Sequence, residues 1–114
     1  HREAFENGIL DQCQKWGIRP TAWSPLGGGI LMSPSHDNNI SEVQTIIAEL
    51  GEKHNAHPDQ VLFAWLQKHP ASIVPVLGSS QLSRIKNAKD SLKINLTHEE
   101  WYMLWQAATG IEIA

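Results

Sequence analysis

Apolar residues recur at helical spacing in five stretches of the chain and run unbroken in one more, and this alternation sets the predicted elements. Ile9, Leu10, Cys13 and Trp16 share a face of a helix predicted from Glu3 to Trp16, with Gly17 as its C-terminal stop. Ile18 to Ser24 follows as a short strand candidate and closes in Pro25-Leu26-Gly27-Gly28-Gly29. Ser33 to Asn39 is polar and reads as a surface loop. Ser41 then caps a helix, Gln44 completes a capping box, and Val43, Ile46, Ile47 and Leu50 form the buried stripe. That helix ends near His54, and Pro58 opens the next at its first turn. Val61, Leu62, Ala64, Trp65 and Leu66 cover so much of the second helix that it must pack deeply.

The unbroken run is Ile73-Val74-Pro75-Val76-Leu77, predicted as a strand buried on both faces. Gly78 permits a tight exit, and Ser79 and Ser80 lead into a helix. Leu82, Ile85 and Ala88 share one face of that helix, and Arg84 lies off it. Thr97 and Glu100 make another capping box, Trp101, Leu104, Trp105 and Ala108 a packing stripe, and Gly110 a stop before a short tail. The order is helix, strand, helix pair, strand, helix, helix. Such alternation implies an α/β fold with parallel strands joined by right-handed crossovers. Two parallel strands with large apolar helices do not make a good independent sheet. The expectation is therefore one undivided segment, 1–114, of a larger α/β structure. Both strand-to-helix loops would lie on the face that carries function in a (β/α)8 barrel.

Composition narrows the classes. At 41% hydrophobic and 18% charged residues the chain is not disordered, and a net charge of −3 gives no support for nucleic-acid binding. No apolar run approaches the roughly 20 residues of a membrane span. The single cysteine, Cys13, reads as a small core residue and suits a reducing compartment. With no signal peptide at the start, a cytoplasmic location is expected. The chain opens at His1 directly in helix-forming sequence, which suggests a fragment or a processed product. His54 and His57 straddle a helix break with no nearby carboxylate or cysteine to complete a metal site, so they read as exposed loop histidines. Five tryptophans imply an aromatic core or pocket.

The chemistry concentrates where strands end. A strand, a glycine-serine turn, a helix N-terminus and the Arg84 guanidinium together suit a phosphate. Three consecutive glycines, Gly27 to Gly29, suggest unusual dihedrals and a backbone cradle for a phosphate or diphosphate. They are not the dinucleotide fingerprint, because Ile30, Leu31, Met32, Ser33 and Pro34 follow instead of a helix start. An ordinary turn with a surface arginine and a flexible glycine loop would share these local patterns.

Ala22-Trp23-Ser24-Pro25-Leu26-Gly27-Gly28-Gly29 resembles the seventh-strand motif of aldo-keto reductases. Val74-Pro75-Val76-Leu77-Gly78-Ser79-Ser80, followed by Arg84-Ile85, resembles their eighth-strand cofactor motif. Arg2 to Gly17 is similar to the sixth helix of the YdhF-like bacterial branch. The resemblance covers essentially the whole chain. It implies the C-terminal part of a (β/α)8 TIM barrel that binds NADPH, with NADH as a second option, and reduces aldehydes and ketones. It also implies cofactor-binding roles for Trp23, Ser24, Pro25, Leu26, Gly27, Gly78, Ser79, Ser80 and Arg84. Trp23 would stack on nicotinamide, Ser24, Leu26 and Gly27 would line the diphosphate, and Ser79 and Arg84 would hold the adenosine ribose phosphate. Many members carry lysine where this chain has Gly78, so the phosphate preference falls to Ser79 and Arg84. Asn87 and Ala88 replace the acidic and amide residues usual after the arginine. The catalytic Asp-Tyr-Lys-His set belongs to the N-terminal half, so no catalytic residue is expected here, Tyr102 included. A non-catalytic nucleotide- or partner-binding relic of the family is the alternative, and an unrelated helical interaction module a third.

Overall fold

The computed structural model describes residues 2–112. His1, expected in a loop, and the last tail residues Ile113 and Ala114 lie outside the described residues. The elements are α1 (Glu3–Glu6), α2 (Ile9–Trp16), β1 (Thr21–Ala22), α3 (Asn38–His54), α4 (Pro58–Lys68), β2 (Val74–Pro75), α5 (Leu82–Asp90) and α6 (His98–Thr109). Short 3-10 turns cover Gly27–Met32 and Ser91–Lys93. No helix among the described residues is long and apolar enough to cross a membrane.

The two strands pair in parallel, Thr21 against Val74 and Ala22 against Pro75. Val74 N–H donates to the Pro20 carbonyl at 2.9 Å and Val76 N–H to Ala22 at 3.0 Å. Pro75 falls between these two donors, at the position whose N–H would not be used toward β1, so proline costs this ladder nothing. Both strands are shorter than the stretches predicted for them, 18–24 and 73–77. Each has only one neighbour among the described residues, so pairing stops where that neighbour ends. Burial on both faces is not observed either: Val76 and Leu77 are 43% and 39% exposed.

Packing holds the short ladder in place. Val43, Ile47 and Leu50 of α3, Val61 and Leu62 of α4, and Leu104 and Ala107 of α6 make one core. Leu10 of α2, Leu66 of α4, Ala71 and Ile73 make a second, and Trp65 packs against both. Each large buried side chain contributes roughly 1.5–3 kcal/mol, against about 1 kcal/mol net for a hydrogen bond. The cores therefore outweigh the ladder. The aromatic core is real but involves three of the five tryptophans. Trp65 and Trp101 stack at 4.7 Å, and each indole N–H donates to the other's backbone carbonyl, at 2.9 and 3.0 Å. Trp105 and Phe5 complete the cluster. His69 lies edge-on to Phe5, and its burial there pushes its pKa down, with Asp11 opposing.

Several local expectations change. The first predicted helix is broken at Asn7-Gly8, where Gly8 takes φ 82°, and its presumed inner face is largely open. Leu10 is buried, but Trp16 is 70% and Ile9 49% exposed, and Cys13 is only partly buried. Helix α3 starts earlier than Ser41. Asp37 caps it, its Oδ1 accepting from Asn39 and Ile40 N–H at 2.9 and 3.2 Å. Gln44 is thereby freed to reach back, donating to the Ile30 and Ser33 carbonyls. Leu82, at 65% exposed, leaves Ala88 as the buried anchor of α5. Gly78 has no positive φ, and an added Cβ would meet nothing within 4 Å, so no tight exit requires it. Gly51, unremarked in the sequence, is the demanding glycine: a Cβ there would stand 2.9 Å from the Ala56 carbonyl oxygen as the chain turns into α4.

His54 is not a free loop residue. Its Nε2 donates to Glu100, 3.1 Å from both carboxylate oxygens, while Lys53 Nζ stands 2.7 Å away. Thr97 N–H donates to the same carboxylate at 2.8 Å, and Thr97 Oγ1 accepts from Glu100 N–H, the capping box read from the sequence. Burial pushes the Glu100 carboxyl up, but Lys53, the Thr97 amide and His54 together outweigh it and hold the pKa at about 2.

Two outcomes follow from this packing. Open strand edges and exposed Trp23, Val76 and Leu77 invite further strands. The 114-residue chain by itself should self-associate in size-exclusion chromatography with light scattering. A monodisperse monomer with one sharp unfolding transition would refute this. The depressed Glu100 pKa stabilises the fold fully above its ordinary value of 4.5, and that contribution fades as pH falls toward about 2. The urea midpoint of wild type should exceed that of Glu100→Gln near neutrality, and the gap should close on acidification. A gap independent of pH would show that the carboxylate charge contributes nothing.

Candidate functional site

Parallel pairing sends both chain exits to the same end of the ladder. After β1 the backbone turns at Ser24, a non-glycine residue at φ 51°, and then passes Gly27, Gly28 and Gly29 at φ 63°, 67° and 94°. Side chains rarely adopt such angles, which accounts for the glycine run. Ser24 alone of these carries a side chain at such an angle, and strain of that kind persists where surrounding structure enforces it. Here Gly27 N–H donates to the Ser24 carbonyl at 2.8 Å and Gly29 N–H to Leu26 at 3.1 Å. Gln44 holds the far end of the loop. After β2, Ser79 Oγ accepts from Gln81 N–H at 3.1 Å, and Gln81, not either serine, is the N-cap of α5.

Between the two exits lies a cavity of about 450 Å³. Of the residues singled out by the sequence, Trp23, Ser24, Pro25, Leu26, Gly78, Ser79 and Arg84 line it. Gly27 faces a second, more apolar cavity of about 350 Å³ under the loop, beside Ile30, Leu31 and Val43. Ser80 lines neither. Gly28 and Gly29 take the place on the first cavity that Gly27 does not. Phe63 of α4 contributes a buried wall. Trp23 is 82% exposed, an indole face left open at the rim.

Asp59 is the charged lining residue that sequence reasoning missed. It sits in the first turn of α4, beginning level with the strand exits. An acidic residue one position into a helix that starts at that end was the available signal. Its Oδ1 and Oδ2 accept from Asn87 Nδ2 at 2.9 and 3.1 Å, and Oδ1 accepts from Gln60 N–H at 3.0 Å. Gln60 Nε2 in turn donates to the Asn87 carbonyl at 2.9 Å. Asn87 thus ties α5 to α4, one helical turn beyond Arg84. Arg84 is the one cation lining the cavity among the described residues, and Asp59 the one anion.

An open indole, a turn of positive-φ glycines and a guanidinium around one cavity match the donor set for an aromatic ring and an anion. The aldo/keto reductase family model matches residues 2–108, and the chain belongs to that family. It is similar to the 6-dehydroglucose reductase of Agrobacterium fabrum, 39% identical over 112 residues, covering 98% of this chain and 36% of that protein. It is 30% identical over 113 residues to the oxidoreductase YdhF of Escherichia coli, covering 99% of this chain and 37% of that one. A thermostable aldo-keto reductase crystallised with the inhibitor epalrestat superposes with a TM-score of 0.79 at 24% identity, over 94% of this chain and 36% of that one. The fold is that of part of a (β/α)8 barrel. The chain spans about a third of the length of the relatives it matches.

Proposed function

We propose that this chain is the C-terminal, cofactor-binding part of an NADP(H)-dependent cytoplasmic oxidoreductase that reduces aldehydes or ketones to alcohols. It would act together with the N-terminal part of the barrel. The observation that carries this reading is the single cavity that gathers Trp23, Gly28, Gly29, Ser79 and Arg84 from two separate strand exits. The residues present fit a nicotinamide nucleotide. The exposed Trp23 indole offers a flat face to a flat ring. The Ser24-to-Gly29 turn presents backbone without side chains beyond Leu26, so an anion can approach closely. Arg84 and the Ser79 hydroxyl supply charge and a donor for a phosphate monoester at the other end.

When bound, such a cofactor supplies a hydride. This chain's residues would bind and orient it, and the buried Phe63 wall would limit water access from below. The family's proton-donating tyrosine has no counterpart assigned here. Tyr102 is half exposed on α6 and does not line the cavity. The 114-residue chain alone should therefore show no carbonyl reduction. Robust NADPH oxidation with an aldehyde by the purified chain would overturn the division of labour.

The cofactor assignment is tested in the complete barrel by titrating NADPH and NADH into two variants. Arg84→Ala should cost roughly 1.5–3 kcal/mol for NADPH, the range for hydrogen bonds to charged groups, and scarcely affect NADH. Trp23→Ala should weaken both alike, because both carry the same ring. Equal losses for the two cofactors in Arg84→Ala would remove this residue from the phosphate site. Binding of neither cofactor by wild type would favour a non-catalytic relic.

A further inference from the structure

We infer that Asp59 offsets the preference that Arg84 gives this cavity for a phosphorylated cofactor, its carboxylate accepting a hydroxyl of the adenosine ribose and opposing a phosphate at that position. The inference rests on the nucleotide reading above and goes beyond it, because Arg84 alone would favour the phosphorylated cofactor. The cavity holds one guanidinium and one carboxylate, Arg84 and Asp59. Among the described residues no cation stands within ion-pairing distance of Asp59, so its charge is not neutralised locally. It is also held in place. Asn87 Nδ2 grips both oxygens and Gln60 N–H meets one of them. A carboxylate has about four acceptor sites. Two donors therefore leave capacity for a ligand hydroxyl, chiefly on Oδ2, which accepts only from Asn87.

The chemistry separates the two cofactor forms. A ribose hydroxyl is a donor and fits a fixed carboxylate, as in other dinucleotide sites where an acidic residue receives the ribose. A 2′-phosphate is an anion, which Arg84 attracts and Asp59 repels. The two effects offset each other, and a cavity of this kind discriminates weakly. Asn87 has the separate role of a positioning residue. It fixes Asp59 and the α5 turn that carries Arg84, so its amide is already occupied within the protein.

The test measures binding of 2′,5′-ADP and 5′-AMP, the adenosine portions of the two cofactors, to the complete barrel by calorimetry. Wild type should bind the two within about tenfold of each other. Asp59→Asn retains an oxygen that can accept from Asn87 and removes the charge. It should shift the affinity ratio toward 2′,5′-ADP by about tenfold, since both the lost hydroxyl bond and the lost repulsion act in that direction. Arg84→Ala should shift the ratio the opposite way. An unchanged ratio in Asp59→Asn, with both ligands still bound, would overturn the role of Asp59 and leave the nucleotide site standing. A wild-type preference above about a hundredfold for 2′,5′-ADP would overturn it without recourse to any variant, even one that misfolds. Failure of wild type to bind either ligand would overturn the nucleotide reading and this inference with it.

Discussion

Everything at the functional end of this chain depends on the burial of α4. Val61 is 0% exposed and Leu62, Phe63, Ala64 and Leu66 at most 9%, so the helix is enclosed on most of its circumference. It joins both apolar cores through Leu62 and Leu66. Its first turn brings Asp59 to the cavity, Phe63 forms a wall, and Trp65 locks onto Trp101 of α6. A helix so enclosed cannot slide without opening voids that cost several kcal/mol. The strand exits are thus held at fixed separation by packing, although the ladder between them is only two residues long.

Polar contacts in this frame serve to orient. Glu100 ties the end of α3 to the start of α6 through Lys53, His54 and Thr97, and so keeps the tryptophan pair in register. Asn87 and Gln60 tie α5 to α4 by a closed loop of hydrogen bonds through Asp59. Buried or half-buried polar groups are costly unless partnered, and no buried side-chain polar atom among the described residues lacks a partner. The polar network therefore selects one arrangement of helices around the cavity, while the apolar cores supply most of the stabilisation.

Left-handed backbone borders one part of the cavity and side-chain charge another. The turn from Ser24 to Gly29 concentrates left-handed dihedrals beside an exposed indole; glycine adopts them freely, and only Ser24 needs its neighbours to enforce one. Asp59 and Arg84 approach from α4 and α5 with opposite charges that are not paired with each other. The glycine turn and the two opposite charges are separate features of the cavity, built on separate elements.

The sequence by itself determined the family, the parallel α/β order, the helix stripes of α3, α4 and α6, the Thr97–Glu100 cap and most residues around the cavity. These are local or short-period signals: capping motifs, helical spacing, a glycine run and two strand-end motifs. Tertiary structure decided the rest. Strand length depended on which neighbours were available, since a ladder bond needs a partner that an apolar run does not reveal. Ser41 lost the cap to Asp37 because an earlier carboxylate could reach two free N–H groups. His54 became a partner of Glu100, 46 residues away, a pairing without any local trace. Asp59 joined Arg84 at the cavity only because α4 folds back beside β2. The side chains of a charged site converge through chain reversals, and periodicity along the sequence carries no record of which reversals bring two distant charges together.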